Sequence, residues 1–347
     1  KSRLKILYIW MRADNKIKPI VFSGQYYSTY VSSMFRNLMA NQAGVTDWAK
    51  NYYPKDKLTV YKEKGDGSLN LDKTEEITLS EENGYRAVVT PAVKNGVEMA
   101  KTFIDNAVAW SGGPTALDKK DVFNTSINHT TAENYFLASY AGHSDYKDNK
   151  YAMLVDGTWW QSEATSVIND LKSQTGFNIL GEESHLAYMP LPFYDEDTKT
   201  AVDGRHVLGD SIVSIEFVRK GRNQASIDVA KKFIQYINTD KELVNFTKIT
   251  NTLVALNYKV DDATKATLTP YTRSLIDFKE NEKTDTMYPI SPSNAFNTNF
   301  QYFNGFDIGP SATTSLATHL HNNEGSKSTV DDTMQQIYKA RRGVFGK

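Results

Sequence analysis

The stretch DGTWWQSEA, residues 156 to 164, sets a carboxylate, Asp156, and an indole, Trp159, within four positions of each other and adds a second indole, Trp160, directly behind. A flat apolar face beside a hydrogen-bond acceptor is equipment for holding a ligand. The two tryptophans separate by helical phase. In the helix that follows the Asp-Gly turn, Trp160, Ala164, Val167, Ile168 and Leu171 share one face, so Trp160 belongs to the core stripe. Trp159 is turned toward Glu163, Ser166 and Asp170 and is expected at an exposed helix N-terminus, facing a cleft. Gln25, Tyr26 and Tyr27, after the turn SGQ, offer a second polar and aromatic group, and Asp210, after Gly209, a further carboxylate.

Each of these residues has a plainer role open to it. Trp159 can cover a loop, Tyr26 can act as an N-terminal staple, and Tyr27 heads an apolar stripe and can pack. Asp156 and Asp210 can simply fix turns. Other chemistry finds little support. The chain has no GxSxG, HExxH, P-loop or GxGxxG pattern. His319 and His321, two apart in HLH, diverge on a helix and suit a surface better than a metal. DGSLNLD, residues 66 to 72, lacks the full calcium-loop pattern and reads as a turn. No metal or cofactor is expected.

The elements that must position these groups alternate helix and short apolar run, which argues an α/β architecture. IKPIVF, residues 17 to 22, reads as a strand, followed by a helix with Tyr27, Val31, Met34 and Leu38 on one stripe. A second helix is expected after Asn95-Gly96, with Val97, Ala100, Ile104, Ala107 and Val108 on its stripe. Thr130 with Glu133, Thr158 with Gln161, and Thr239 with Glu242 each have capping-box spacing. EKGDGSLNLDKTEE reads as a polar loop, and KYAMLV, HLAYMPLP and HVLGDSIVSIEFV as strands. The helix opened by Trp160 should end near Gly176, and a later one should bury Ala230, Phe233, Ile234 and Ile237. ENEKTDT is a candidate crossing between domains, and two helices separated by NNEGS close the chain.

With 347 residues, of which 40% are hydrophobic, two domains are within reach. Forty basic and forty-one acidic residues balance to a net charge of −1 without a long run of one sign, which argues against nucleic acid as a partner. No apolar run reaches the roughly 18 residues of a membrane-spanning helix. Cysteine is absent, which excludes disulfides and thiolate chemistry. Aromatic residues make up 12%, including twenty tyrosines, a composition suited to recognition surfaces.

Several segments, in one order, resemble the extracellular solute-binding proteins of ABC transporters, in particular the carbohydrate-binding branch (family 1) that includes maltose-binding protein. KPIVFSGQYY is similar to the strand and turn entering that family's second lobe, and TAENYFLASYAG followed by KYAMLVDGTWWQSEA to its helix, strand and tryptophan turn. MPLP resembles a crossing between lobes, VAKKFIQYINTDKELVNFTKITNTLVAL a helix pair with an apolar turn, and STVDDTMQQIYKA the last helix. The resemblance covers most of residues 15 to 340.

It implies a two-lobe, type II periplasmic-binding-protein-like fold with hinge crossings. Residues 16–189 with 286–347 would form lobe two, 190–285 the remaining part of lobe one, and 1–15 a remnant of lobe one or a connecting helix. The family's signal peptide and first strands would precede this chain, leaving lobe one incomplete. The implied function is capture of a sugar or oligosaccharide in the cleft and delivery to an ABC permease, by a monomer that is periplasmic or extracellular and held as a lipoprotein. Trp159 and Asp156 would meet the sugar with Gln25, Tyr26 and Tyr27, Asp210 would approach from the other lobe, and Asn294, Phe296 and Phe300 fall near the site by resemblance alone. Two other classes stay open: a secreted glycoside hydrolase, because aromatic platforms with paired carboxylates also serve catalysis, and a cell-surface adhesion module with no closing cleft.

Overall fold

In the computed structural model the described residues are 17–18, 20–44, 57–80, 82–110, 123–147, 150–190, 206–209, 221–282, 284–287, 315–322 and 328–345. In chain order the elements are β1 (Ile17–Lys18), α1 (Tyr27–Ala43), β2 (Lys57–Glu63), β3 (Leu69–Thr78), α2 (Pro91–Trp110), α3 (His129–Tyr140), β4 (Lys150–Tyr151), α4 (Trp160–Glu163) and α5 (Thr165–Thr175). There follow β5 (His206–Gly209), α6 (Gln224–Ile237), α7 (Asp240–Thr250), α8 (Asp262–Lys265), α9 (Pro270–Glu280), β6 (Thr284–Met287), α10 (Leu316–Asn322) and α11 (Val330–Val344). Strands β1 and β4 pair in parallel, as do β5 and β6, while β2 and β3 form an antiparallel hairpin. The mixture of helix with small parallel pairs is α/β in character, as the alternation predicts.

The largest core forms where α1, α2, the hairpin and the last two helices meet. Val31, Met34 and Leu38 of α1 are buried against Val97, Ala100 and Ile104 of α2, each set spaced at helical period. Leu58, Val60 and Leu69 enter from the hairpin, and Leu316, Ile337 and Tyr338 from α10 and α11. Helix α2 begins at Pro91, ahead of the Asn95-Gly96 pair expected to introduce it. Gly96 instead lies inside the helix, where a Cβ would stand 2.3 Å from Met39 Cγ, so glycine permits the close approach of α1 and α2. Helix α11 carries a complete capping box, with Thr329 and Asp332 bonded reciprocally.

The stretch expected to be a polar loop, residues 63 to 76, is largely β3. Its outward face is charged, and the turn between β2 and β3 closes at Gly67, whose φ of +76° favours glycine. DGSLNLD is a turn leading into that strand, with Asp66 accepting from the Ser68 amide. HLAYMP adopts no strand, and the rest of HLAYMPLP lies outside the described residues. Among the described residues of IKPIVF, Ile17–Lys18 form strand and Val21 makes a further parallel bridge to Leu154. Of HVLGDSIVSIEFV only β5 is described.

A second cluster gathers Trp160, Ala164, Ile168 and Leu171 with Leu137 and Ala138 of α3 and Tyr271 and Leu275 of α9. The Trp160 and Tyr271 rings meet edge to face with centroids 5.1 Å apart. Helix α5 stops at Gly176, left-handed with φ 73°. Helix α6 forms over the expected span, yet none of its residues is buried among the described residues, and Phe233 is 60% exposed. Thr239 does stand at the N-cap of α7, but its hydroxyl donates to the Tyr236 carbonyl and Glu242 accepts from the Tyr236 hydroxyl, so no capping box forms. His321 is half-buried, its ring stacked on that of Phe123 with centroids 4.4 Å apart.

Candidate functional site

Parallel strands deliver the loops at their carboxyl ends to one edge, the usual place for a ligand in α/β proteins. Here the β1–β4 ladder continues through Val21 N to Met153 O at 2.9 Å and Val155 N to Val21 O at 3.0 Å. The next residues on the two sides are Ser23–Tyr26 and Asp156–Trp159, which therefore emerge together. The first of these turns is docked on residues 124–127: the Gln25 amide donates to the Ile127 carbonyl at 2.9 Å, and a Cβ at Gly24 would collide with the Asn124 carbonyl at 2.3 Å.

Asp156 is the centre of the arrangement. Its Oδ1 accepts from the Tyr30 hydroxyl at 3.0 Å and from the Gly157 amide at 2.7 Å, while Oδ2 is buried with no hydrogen-bond donor among the described residues. Tyr30, Glu133, Glu163 and His129 all lie close enough to Asp156 to act on it electrostatically. The rings of Tyr26 and His129 lie 6.3 Å apart. The Trp159 indole folds back over Gly157, where a Cβ would stand 2.3 Å from the ring. It remains 38% exposed, and Tyr26 is 47% exposed.

The segment behind the indole is pinned from the far side. Thr158 hydrogen-bonds Thr252, the Ser162 hydroxyl donates to the Thr250 carbonyl at 2.6 Å, and the Gln161 amide oxygen accepts from Thr269 at 3.0 Å. Thr158 and Gln161 are thus committed to neighbours rather than to the capping box that their spacing suggests. Trp159 stands at the N-cap of α4 with no side-chain cap.

Charge around Asp156 is unbalanced. Glu133 is buried at 0% exposure, and among the described residues its carboxyl meets the Glu163 carboxyl and no amide, hydroxyl or cation. Burial, with the adjacent charges of Asp156 and Glu163, pushes its carboxyl up to about 8. Burial also raises Asp156, to about 6, against the opposing pull of the Gly157 amide, the Tyr30 hydroxyl and His129. The Tyr30 phenol is pushed well above its ordinary range, first by burial and then by Asp156. The arrangement can hold a proton, accept hydrogen bonds and stack an apolar ligand face. Among the described residues no group of three or more His, Cys, Asp or Glu is arranged to hold a metal ion.

The expected site residues divide. Asp156, Trp159, Gln25 and Tyr26 come to the same edge. Tyr27 goes to the core: its ring packs edge-on against Phe123 and His321, and its hydroxyl donates to Thr318 at 3.2 Å. Asp210, Asn294, Phe296 and Phe300 lie outside the described residues. Tyr30, His129, Glu133 and Glu163 were missed. Glu133 reads in the sequence as the partner of Thr130 in a capping box, whereas the cap of α3 is Asn128, which accepts from the Thr131 amide at 2.8 Å. Its spacing from Leu137, an acid one turn before a core residue, was the available signal.

A groove of about 320 Å³ between α3 and α5, lined by residues including His143, Asp145 and Leu171, contains none of the expected site residues. Comparison of the chain with family models, curated proteins and solved structures yields no match.

Proposed function

We propose that the protein is an extracellular carbohydrate-binding receptor that captures a sugar or oligosaccharide and delivers it to an ABC permease, binding without turnover. The observation that carries the reading is the exposed Trp159 indole set beside Asp156 at the carboxyl ends of a parallel strand pair. A pyranose has an apolar C–H face and a rim of hydroxyls; an indole takes the first, while a carboxylate and the Gln25 amide take the second. The transport role, the two-lobe type II architecture with its hinge, the monomeric state and a lipoprotein or periplasmic location rest on the segment resemblance, and in that reading Asp210, Asn294, Phe296 and Phe300 complete the site.

A thermal-shift screen of mono- and oligosaccharides tests the proposal, since ligand binding to the folded state raises the melting temperature by mass action. A stabilising sugar whose effect is lost in Trp159→Ala supports it; a flat screen across sugars argues against it.

Glycoside hydrolysis is the second reading, and one observation favours it: two neighbouring carboxyls, Glu133 and Asp156, are held with different proton affinities. Against it, both Glu133 oxygens are closed off from solvent, so no glycosidic oxygen can reach them in this conformation. Incubation with oligosaccharides decides between the two, because cleavage products require an enzyme.

A further inference from the structure

The helix that Trp159 opens, α4, is four residues long and has no side-chain cap, and a helix that short takes its orientation from its neighbours. Thr158, Gln161 and Ser162 stand at i, i+3 and i+4, so they share one face of this turn while Trp159 falls on the next. All three are bonded across to a distant part of the chain. Thr158 meets the hydroxyl of Thr252, the Ser162 hydroxyl donates to the Thr250 carbonyl at 2.6 Å, and Gln161 Oε1 accepts from the Thr269 hydroxyl at 3.0 Å.

The receiving side is shaped by one residue. Asn251 ends α7 in the left-handed region, with φ 53°, and among the described residues it is the sole non-glycine residue with positive φ. This bend leaves the Thr250 carbonyl, one of those a helix end does not satisfy internally, to the Ser162 hydroxyl, and sets Thr252 against Thr158. Helix α9 grips Asn251 in turn: the buried Thr272 hydroxyl reaches its carbonyl at 3.4 Å and its Oδ1 at 3.3 Å, and Thr272 hydrogen-bonds Thr269 at 2.9 Å. Thr269 returns to Gln161, so the bonds close a ring at the base of the Trp159 turn. Leu253, next in the chain, packs on the Trp160 cluster and on the one holding Leu243, Tyr258 and Ile276, which places the ring where two cores adjoin.

We infer that Asn251 and Thr252 are positioning residues for Trp159, acting through Thr158 and Ser162, although Thr158 and Thr252 lie 94 residues apart. The direction of the indole over Gly157, and with it the face offered to a ligand, is set by the turn between α7 and α9 rather than by the tryptophan's own short helix. The consequence for binding, that a misplaced indole weakens the saccharide complex, rests on the carbohydrate reading above.

Fluorotryptophan labelling of the five tryptophans gives the readout, the Trp159 fluorine line being the one absent from Trp159→Phe. Thr252→Val keeps the shape and loses the hydroxyl, and Asn251→Val strains the left-handed turn, so both should move that line; Thr252→Ser and Asn251→Gly should return it toward wild type. Thr247→Val is the control: its hydroxyl bonds the Leu243 carbonyl and Tyr258 outside the ring, so its loss should lower the melting temperature and leave the line in place. If Thr252→Val fails to fold, Ser162→Ala removes an exposed member of the ring and should move the line as well. Maltotriose, cellotriose and xylotriose are titrated by calorimetry. Those that bind wild type should bind Thr252→Val roughly two- to tenfold more weakly, the range to which the net worth of one hydrogen bond converts, and Thr252→Ser at wild-type strength. A line unmoved by Thr252→Val, or moved as far by Thr247→Val, overturns the positioning assignment. Unchanged saccharide affinity beside a moved line overturns the role in binding, whereas binding of none of the three saccharides beside a moved line counts against the carbohydrate reading and keeps Asn251 and Thr252 as the residues that place the indole.

Discussion

Replacing Glu133 with glutamine should stabilise the protein in alkaline solution, the reverse of what removing a buried polar contact normally does. Glutamine keeps the shape, carries no charge, and brings an amide that can donate to Asp156 or Glu163. A carboxyl raised from 4.5 to about 8 contributes stability that is fully present below about 4.5 and is lost as pH rises through about 8. By linkage the full shift corresponds to roughly 5 kcal/mol; discounting for water that reaches the exposed Glu163 alongside leaves about 2 kcal/mol. Urea denaturation of wild type and Glu133→Gln at pH values below 4.5 and above 8 measures this. The wild type should lose stability between the two conditions, and the variant should lose about 2 kcal/mol less. Equal losses in both proteins, or a variant weakened equally at both ends, would show that Glu133 is not held as an uncompensated acid.

Other substitutions probe the neighbouring groups. Trp160→Ala should cost about 3–5 kcal/mol by opening a cavity against Tyr271 and Leu171, whereas Trp159→Ala should leave the melting temperature nearly unchanged and weaken sugar binding at least about tenfold; equal stability losses with unchanged binding would refute the division of the pair. Gly157→Ala should expel the indole that lies 2.3 Å from the added methyl position, read as a shift in tryptophan emission together with weakened binding, and an unchanged spectrum counts against the geometry. Tyr30→Phe removes a donor that holds Asp156 down, so the Asp156 carboxyl should titrate above its present value of about 6 when followed by carbon NMR; a downward move contradicts the assignment.

What could be read in the sequence is whatever depends on period. The stripes of α1 and α5 and the opposite fates of Trp159 and Trp160 follow from a repeat of 3.6 residues and hold in three dimensions. The β3 strand was hidden because Leu69 is its one fully buried residue, while LDKTEE carries the polarity of a loop. The capping boxes failed for a different reason: a Thr with an acid or amide three residues on is compatible with a cap, yet it leaves open whether Asn128, Thr252 or Tyr236 offers a better bond. Within the site, Asp156 and Trp159 announce themselves by residue type, while Tyr30, Glu133 and His129 take their meaning from partners that chain order does not reveal.

The hydrogen bond from Tyr30 to Asp156 joins positions 126 residues apart. Closing a loop of that length costs on the order of 4 kcal/mol in chain entropy, before any contact at the site compensates it. The β2–β3 hairpin and the individual helices close short loops and have no such barrier. During refolding the carboxyl cluster and the Trp159 platform should therefore be assembled after the hairpin, when β1 finds β4. Tryptophan emission would lag behind secondary structure in time, and a ligand could accelerate only the last step, because nothing capable of binding it exists until the two distant strands have met.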